Sequence, residues 1–152
     1  MRIVFRRAEE KDSGDIVGLL AQLHDGANFS DMAAFSYEDT ALSVMSWVKD
    51  TSIDIILAAC DDVIIGLIVV VYQRPYFNYD CMVAYGLTIW VAPEYRKYNI
   101  GRRLYKRGVQ LAKDRGANVL DVGVRLDNPA LVKFHKRYGA TEHETILRHR
   151  LK

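Results

Sequence analysis

The chain of 152 residues has little of what usually substitutes for a hydrophobic core. It holds two cysteines, Cys60 and Cys81, each inside an apolar run. Two such thiols exclude a disulfide scaffold and predict buried, reduced side chains in a reducing compartment. Neither stands beside a basic cluster or at a helix start, so neither reads as a nucleophile. The three prolines, Pro75, Pro93 and Pro129, are scattered, which leaves no proline-rich linker. The most apolar stretch, 53–72, is interrupted by Asp61-Asp62, which excludes a membrane span and suggests a turn between two strands. The first residues turn acidic without a long apolar segment, so no secretory signal is read there. A cytoplasmic protein with no membrane partner and no metal is expected.

Charge of one sign is also lacking. The net of +2 excludes a histone-like nucleic-acid binder and an acidic tail protein. The mean nevertheless conceals a split. Residues 1–95 carry 6 Lys+Arg against 14 Asp+Glu, a net of −8, and residues 96–152 carry 15 against 5, a net of +10. Such a split suits a protein that meets an anion with one half and a cation with the other.

What is present is ample apolar material, 50% of the chain, at a one-domain length, so a single domain over 1–152 is expected. Residues 2–7 read as a strand. A helix over 9–24 follows, with Ile16, Leu19, Leu20 and Leu23 at helical spacing. A second helix over 37–49 is expected to turn Ala41, Val44, Met45 and Val48 inward. The Ile- and Val-rich runs 53–60 and 63–73 read as a hairpin, and 82–91 as a third long strand. A basic helix over 99–115 is expected to face inward through Ile100, Leu104, Gly108 and Leu111. Residues 118–124 read as a strand. Asn128-Pro129 is a helix start, with Asn as cap and Pro at the first helical position. That helix carries Leu131, Phe134, His135 and Tyr138 on one face and ends at Gly139. A last strand is expected over 142–151. The resulting order, β-α-α-β-β-β-α-β-α-β, belongs to a mixed-sheet α/β arrangement.

The chemistry concentrates where the third long strand runs through Pro93-Glu94-Tyr95-Arg96-Lys97-Tyr98-Asn99 into the basic helix. A helix start presents free N–H groups and the positive end of the dipole, which suits a phosphate. Arg96, Lys97, Arg102 and Arg103 add positive potential, and Gly101 permits close approach. No Gly-Lys-Ser/Thr follows, so this is not a P-loop, and no Gly-x-Gly-x-x-Gly turn is present.

On these residues the chain resembles the GCN5-related N-acetyltransferase (GNAT) superfamily. Its diphosphate loop, Arg/Gln-x-x-Gly-x-Gly/Ala after a strand ending in Val-x-Pro, is matched by Val91-Ala92-Pro93 and Arg96-Lys97-Tyr98-Asn99-Ile100-Gly101. Asn99 replaces the first glycine. Asn is among the few side chains that tolerate positive φ. The family's last helix, Asn-x-x-Ala-x-x-x-Tyr-x-x-x-Gly-Phe, is matched in length and end points by residues 128–140. There Leu131 stands for the Ala, His135 for the frequent catalytic Tyr, and Ala140 for the Phe. The resemblance covers about residues 2–145.

It implies a GNAT-like, mostly antiparallel sheet with two splayed parallel central strands and about four helices. It implies acetyl-CoA as cosubstrate, held by backbone groups of Ile89, Trp90 and Val91 along the pantetheine arm and by amides of Arg96, Lys97, Tyr98, Asn99, Ile100, Gly101 and Arg102 around the diphosphate. Asn128 is expected to touch the cosubstrate arm or to cap its helix. The implied reaction is direct attack of a primary amine on the thioester in a ternary complex. His135 and Tyr138 are the candidate proton donors to the departing thiolate. No acidic base stands among Tyr85, Gly86, Leu87 and Thr88, which leaves Asp80, Asp121 or a water chain. The acceptor, a small-molecule or protein amine, is expected between segments 26–36 and 74–80, which hold Phe29, Phe35, Tyr76, Phe77 and Tyr79 with Asp31 and Asp80.

Only 13 residues follow Gly139, where the family commonly forms two strands. An open sheet edge is therefore expected there, with a homodimer formed through the C-terminal strand. Two other functions compete with acetyl transfer. One is a non-catalytic acyl-CoA-binding or regulatory domain of the same fold. The other is a nucleic-acid-binding module built on 96–115, which is disfavoured because a cosubstrate bearing several phosphate charges already accounts for the basic residues.

Overall fold

The computed structural model describes residues 2–125 and 127–149. Residues up to Val122 form one compact unit and those from Gly123 a second.

The most apolar part of the chain makes the middle of a sheet. β2 (Ile53–Cys60) and β3 (Val63–Gln73) pair antiparallel, with almost every residue buried. Asp61 (φ 47°) and Asp62 (φ 70°) both take the left-handed conformation of a two-residue hairpin turn, whose twist matches that of the strands. β1 (Ile3–Arg7) pairs with β2, and β4 (Val83–Val91) with β3, both antiparallel. β5 (Val119–Val122) lies parallel to β4, so the order is β1-β2-β3-β4-β5.

Three helices cover this sheet. α1 (Ser13–Gly26) and α2 (Tyr37–Lys49) bury Ile16, Leu19, Leu20 and Val44 with Leu57, Leu67 and Val69. α3 (Ile100–Asp114) buries Ile100, Leu104 and Ala112 with Ile56, Ile68 and Val70. Each fully buried aliphatic side chain contributes about 1.5–3 kcal/mol. Gly108 sets how closely α3 approaches, since a Cβ there would lie 2.6 Å from Ile68 Cδ1. In the second unit, α4 (Pro129–Arg137) starts at its Asn128 cap.

The bounds expected for α2, β2 and β3 are those observed. Two expectations are corrected. Met45 is 49% exposed, because α2 turns Ala41, Val44, Trp47 and Val48 to the core instead. The last strand does not form among the described residues 138–149. Its apolar residues Ile146 and Leu147 are adjacent, not alternating, and are 77% and 81% exposed, so no strand face could bury both. A dimer interface through that strand therefore has none to build on among the described residues.

Two carboxylates fasten the first unit. Asp54, with no exposed side-chain surface, accepts from Arg115 Nε (2.8 Å) and Nη2 (3.0 Å) and pairs with Arg7 Nη2 (2.8 Å). Arg115 also donates to the Thr51 carbonyl (2.6 Å) and lies 4.7 Å over the Tyr72 ring. Asp12 accepts from both Nη atoms of Arg6 (2.6 and 2.7 Å) and from the Glu9 amide (2.8 Å). The Arg6 bonds hold the Asp12 carboxyl below its ordinary range, against the opposing pull of burial.

Replacing Asp54 by Asn removes the buried charge and leaves two partly exposed guanidinium groups facing a neutral amide, and should cost about 1–3 kcal/mol in urea unfolding. The Asp12 contribution has a definite sign with pH. It is present above the ordinary carboxylate pKa of about 3.9 and is lost as pH falls through the lower folded value. Asp12→Asn should therefore flatten the decline of the unfolding midpoint below about pH 4, read from thermal melts across an acid series.

Candidate functional site

The site is built on β4. Its register with β3 runs Val69 to Thr88 and then Val70 to Gly86, so Leu87 is an extra residue and the strand bulges there. On its other side β4 pairs with β5 only from Val83–Val119 to Gly86–Val122. Gly86 permits this tight pairing, since a Cβ would lie 2.7 Å from Val122 Cγ1. Beyond the bulge, Thr88–Val91 keep β3 on one side and have no β5 partner on the other. Ile89, Trp90 and Val91 thus stand on a strand edge whose N–H and C=O groups can receive an extended ligand.

β4 leads into a 3-10 helix, Pro93–Tyr98, and then α3. The hinge is Asn99, at φ 58° and ψ 23°, the left-handed conformation that Asn tolerates in place of glycine. Its side chain makes no cap bond to α3, and its carbonyl accepts from the Arg103 amide at 3.2 Å. The amides of Ile100, Gly101 and Arg102 open the helix, where N–H groups lack intrahelical acceptors and the dipole is positive. Arg96, Lys97, Tyr98 and Asn99 are exposed beside them. Gly101 is helical, and a Cβ there would meet only Val91 Cγ2, at 3.8 Å. Neither conformation nor packing requires a glycine at 101.

The side chain of Arg96 is turned back toward the protein, which sequence reasoning did not find. Its Nε donates to the Val91 carbonyl (3.0 Å) and its guanidinium lies 4.4 Å over the Trp90 ring. Lys97 Nζ lies 5.1 Å over Tyr98. Arg103 and Arg107 stack on Phe5 at 4.4 and 4.3 Å, so these two bases of the α3 face cover an aromatic ring of β1.

Between α1 and α2, residues 27–36 are organised by His24. Its Nε2 lies 2.8 Å from the Ala33 carbonyl and therefore donates, while Phe29 and Phe35 meet the ring edge-on. In segment 74–80, Tyr76, Phe77 and Tyr79 are exposed, Tyr76 and Phe77 as an edge-to-face pair, and Arg74 donates to the Tyr79 carbonyl. Asp80 is exposed, and Asp121 stands opposite Tyr85 in the β4–β5 register.

In the second unit Asn128 is a helix cap, its Oδ1 accepting from the Leu131 amide (3.1 Å). α4 brings Phe134 against the ring of His135 (5.3 Å) and that of Tyr138 (5.1 Å). His135 is buried, and burial pushes its imidazole below its ordinary value. At neutral pH the ring is therefore neutral, and it must take a proton before it can donate one. Among the described residues no group of three His, Cys, Asp or Glu could hold a metal ion, and no helix is long and apolar enough to cross a membrane.

Comparison with known proteins agrees with this geometry. The model of the acetyltransferase (GNAT) family matches residues 12–140. The thialysine N-epsilon-acetyltransferase of Bos taurus is 27% identical over 146 residues, which cover 92% of this chain and 85% of that protein. The solved structure of a transcriptional regulator from Bacillus halodurans C-125 superposes with a TM-score of 0.82 at 21% identity, covering 98% of this chain and 100% of that one. The aminoglycoside acetyltransferase AAC(6')-Iy, solved in complex with a bisubstrate analog of CoA, does so with a TM-score of 0.82 at 17% identity, covering 100% and 99%. These two likenesses are to the fold. With the family model spanning most of its length, the chain belongs to the acetyltransferase (GNAT) family and is an acyltransferase.

Proposed function

We propose that the protein moves an acetyl group from acetyl-CoA to a primary amine, by direct attack in a ternary complex. The observation that carries this reading is a bulged strand that β5 leaves unpaired along one edge, leading through a left-handed Asn99 into a helix start without a side-chain cap. The strand edge suits the amide-bearing pantetheine arm, and the helix start suits its diphosphate. Gly101 supports the same assignment: a Cβ there would make only an ordinary contact with Val91 Cγ2, so packing does not demand a glycine and close approach by a ligand supplies a reason for one.

In this reading the backbone of Ile89, Trp90 and Val91 aligns the thioester, and amides between Arg96 and Arg102 hold the diphosphate. Because the Arg96 side chain is committed to Val91 and Trp90, the anion depends chiefly on main-chain donors there. Asn128 contributes by capping α4, the helix that carries His135 and Tyr138. An alkyl ammonium has a pKa of about 10 and must shed a proton before its nitrogen attacks. The N–C bond forms as the C–S bond breaks, with a β4 amide stabilising the oxyanion. The thiolate leaves and takes up a proton. Neutral His135 accepts the ammonium proton and passes it to the thiolate, with Tyr138 as the other candidate donor, and the second proton that the nitrogen loses as the amide forms is released to solvent.

The amine is received by segments 26–36 and 74–80. Their aromatics and their carboxylates, Asp31 and Asp80, within a half of the chain of net charge −8, suit a cation. The bovine relative is named for a side-chain nitrogen of thialysine, an acceptor of that kind.

A thermal-shift series with acetyl-CoA, CoA and longer acyl-CoAs tests the reading. At 100 times Kd the gain is about 2.7 kcal/mol, and no shift with any of them would refute the cosubstrate. Gly101→Ala should leave the unliganded melt unchanged or raise it, yet weaken acetyl-CoA binding about tenfold, or about 1.4 kcal/mol. Undiminished affinity would remove the diphosphate from this helix start. His135→Ala should keep acetyl-CoA binding and lower kcat about 10²-fold or more. Because the imidazole sits below its ordinary pKa, kcat should be flat at neutral pH and fall as acid protonates His135. That acid limb should be absent from His135→Ala.

A further inference from the structure

Trp90 stands between the Arg96 guanidinium and the end of α1. One face of its indole carries the Arg96 guanidinium, 4.4 Å from the ring centre. Arg96 in turn is bonded to the Val91 carbonyl, inside the segment that receives the cosubstrate. The outer edge of the same indole abuts the end of α1. A Cβ on Gly26 would lie 2.5 Å from Trp90 Cη2 and 3.3 Å from Cζ2 and Cζ3. Gly26 is the last residue of α1, where the 27–36 connector begins. Trp90 also packs against the core cluster that includes Leu19 and Leu20, as do Leu23 and Phe35, and its Nε1 is buried without a hydrogen-bond partner among the described residues. The ring is held by shape and by the cation above it, with no hydrogen bond fixing its tilt.

We propose that Trp90 is a positioning residue that couples the cosubstrate loop to the acceptor connector through contacts running from Arg96 to Trp90 to Gly26. This inference rests on the proposed acetyl-CoA site. An anion at the start of α3 changes the field in which the Arg96 guanidinium sits, and Arg96 presses directly on the indole. The indole has no space to absorb a displacement at its other edge, because Gly26 leaves no room for even a methyl group. Close-packed contacts of this kind transmit shifts instead of damping them. Loading of acetyl-CoA thereby orders the segment that meets the amine. By linkage, a perturbation at Gly26 must be felt at the cosubstrate site.

The test uses the full chain with CoA as probe, so that no acetyl transfer intervenes. Hydrogen exchange is followed in 93–102 and in 27–36, and CoA binding is measured in parallel by thermal shift. CoA should slow exchange in both segments of the wild type. Trp90→Phe keeps a ring beneath Arg96 but lacks the outer edge that reaches Gly26. It should still bind CoA and protect 93–102, while protection of 27–36 falls about fivefold or more. Gly26→Ala, a change that favours helix, pushes the indole from its far side and should weaken CoA binding about fivefold. The proposal is overturned if wild type binds CoA with no change in 27–36, or if Trp90→Phe protects that segment as fully as wild type. It is equally overturned if Gly26→Ala binds CoA with wild-type affinity. Absence of any CoA-induced thermal shift in the wild type would overturn both this inference and the cosubstrate reading beneath it, and is distinguished from the other outcomes by the melt alone.

Discussion

The geometry of the proposed cosubstrate site begins some distance from it, at a carboxylate shut away from water. Asp54, in the middle of the sheet, draws Arg115 from the end of α3 and Arg7 from β1 onto one point. A buried charge without partners is costly, so the three groups are committed to one another. With its C-terminal end pinned over β2, α3 descends across the sheet at the separation that Gly108 allows against Ile68. Ile100 and Leu104 then bury its first turns. The helix start is thereby delivered beside the end of β4.

β4 is the other half of the construction. One additional residue, Leu87, bends the strand, and β5 accompanies it no further than Gly86. A sheet edge of this kind ordinarily invites aggregation. Here it flows directly into a helix start whose amides lack a side-chain cap, so one continuous stretch offers ladder groups first and anion-binding groups next. Arg96 strengthens the junction from beneath by bonding to Val91 and covering Trp90. The positive charge read from the sequence is present, but part of it braces the protein. Arg103 and Arg107, stacked on Phe5, show the same division of labour.

Much of the fold was legible because its signals are local. The Asp61-Asp62 turn, the Ile- and Val-rich hairpin and the α2 bounds each depend on residues within a few positions of one another. The passage from β4 through the 3-10 turn into α3 was legible for the same reason, since a strand, a proline and a basic helix start are contiguous. The last strand was misread because Glu142 to His149 contains β-branched and apolar residues without the alternation that would let one face be buried. Met45 was misplaced because the periodicity admitted two neighbouring stripes, and the one that packs on the core carries Trp47 with Ala41, Val44 and Val48.

The sequence by itself determined the tolerance of Asn99 for a positive-φ hinge, the cap at Asn128, the element order as far as α4 and the placing of a basic helix start after β4. These follow from backbone sterics and hydrogen bonds reaching three or four residues along the chain. Only the tertiary structure decided that the Arg96 side chain turns inward, that Gly26 rests on Trp90, that Asp54 meets Arg115, and that burial lowers the His135 pKa. Each of these depends on which distant surfaces are brought into contact or on how much water is excluded around a side chain, and neither quantity is written in any short run of residues.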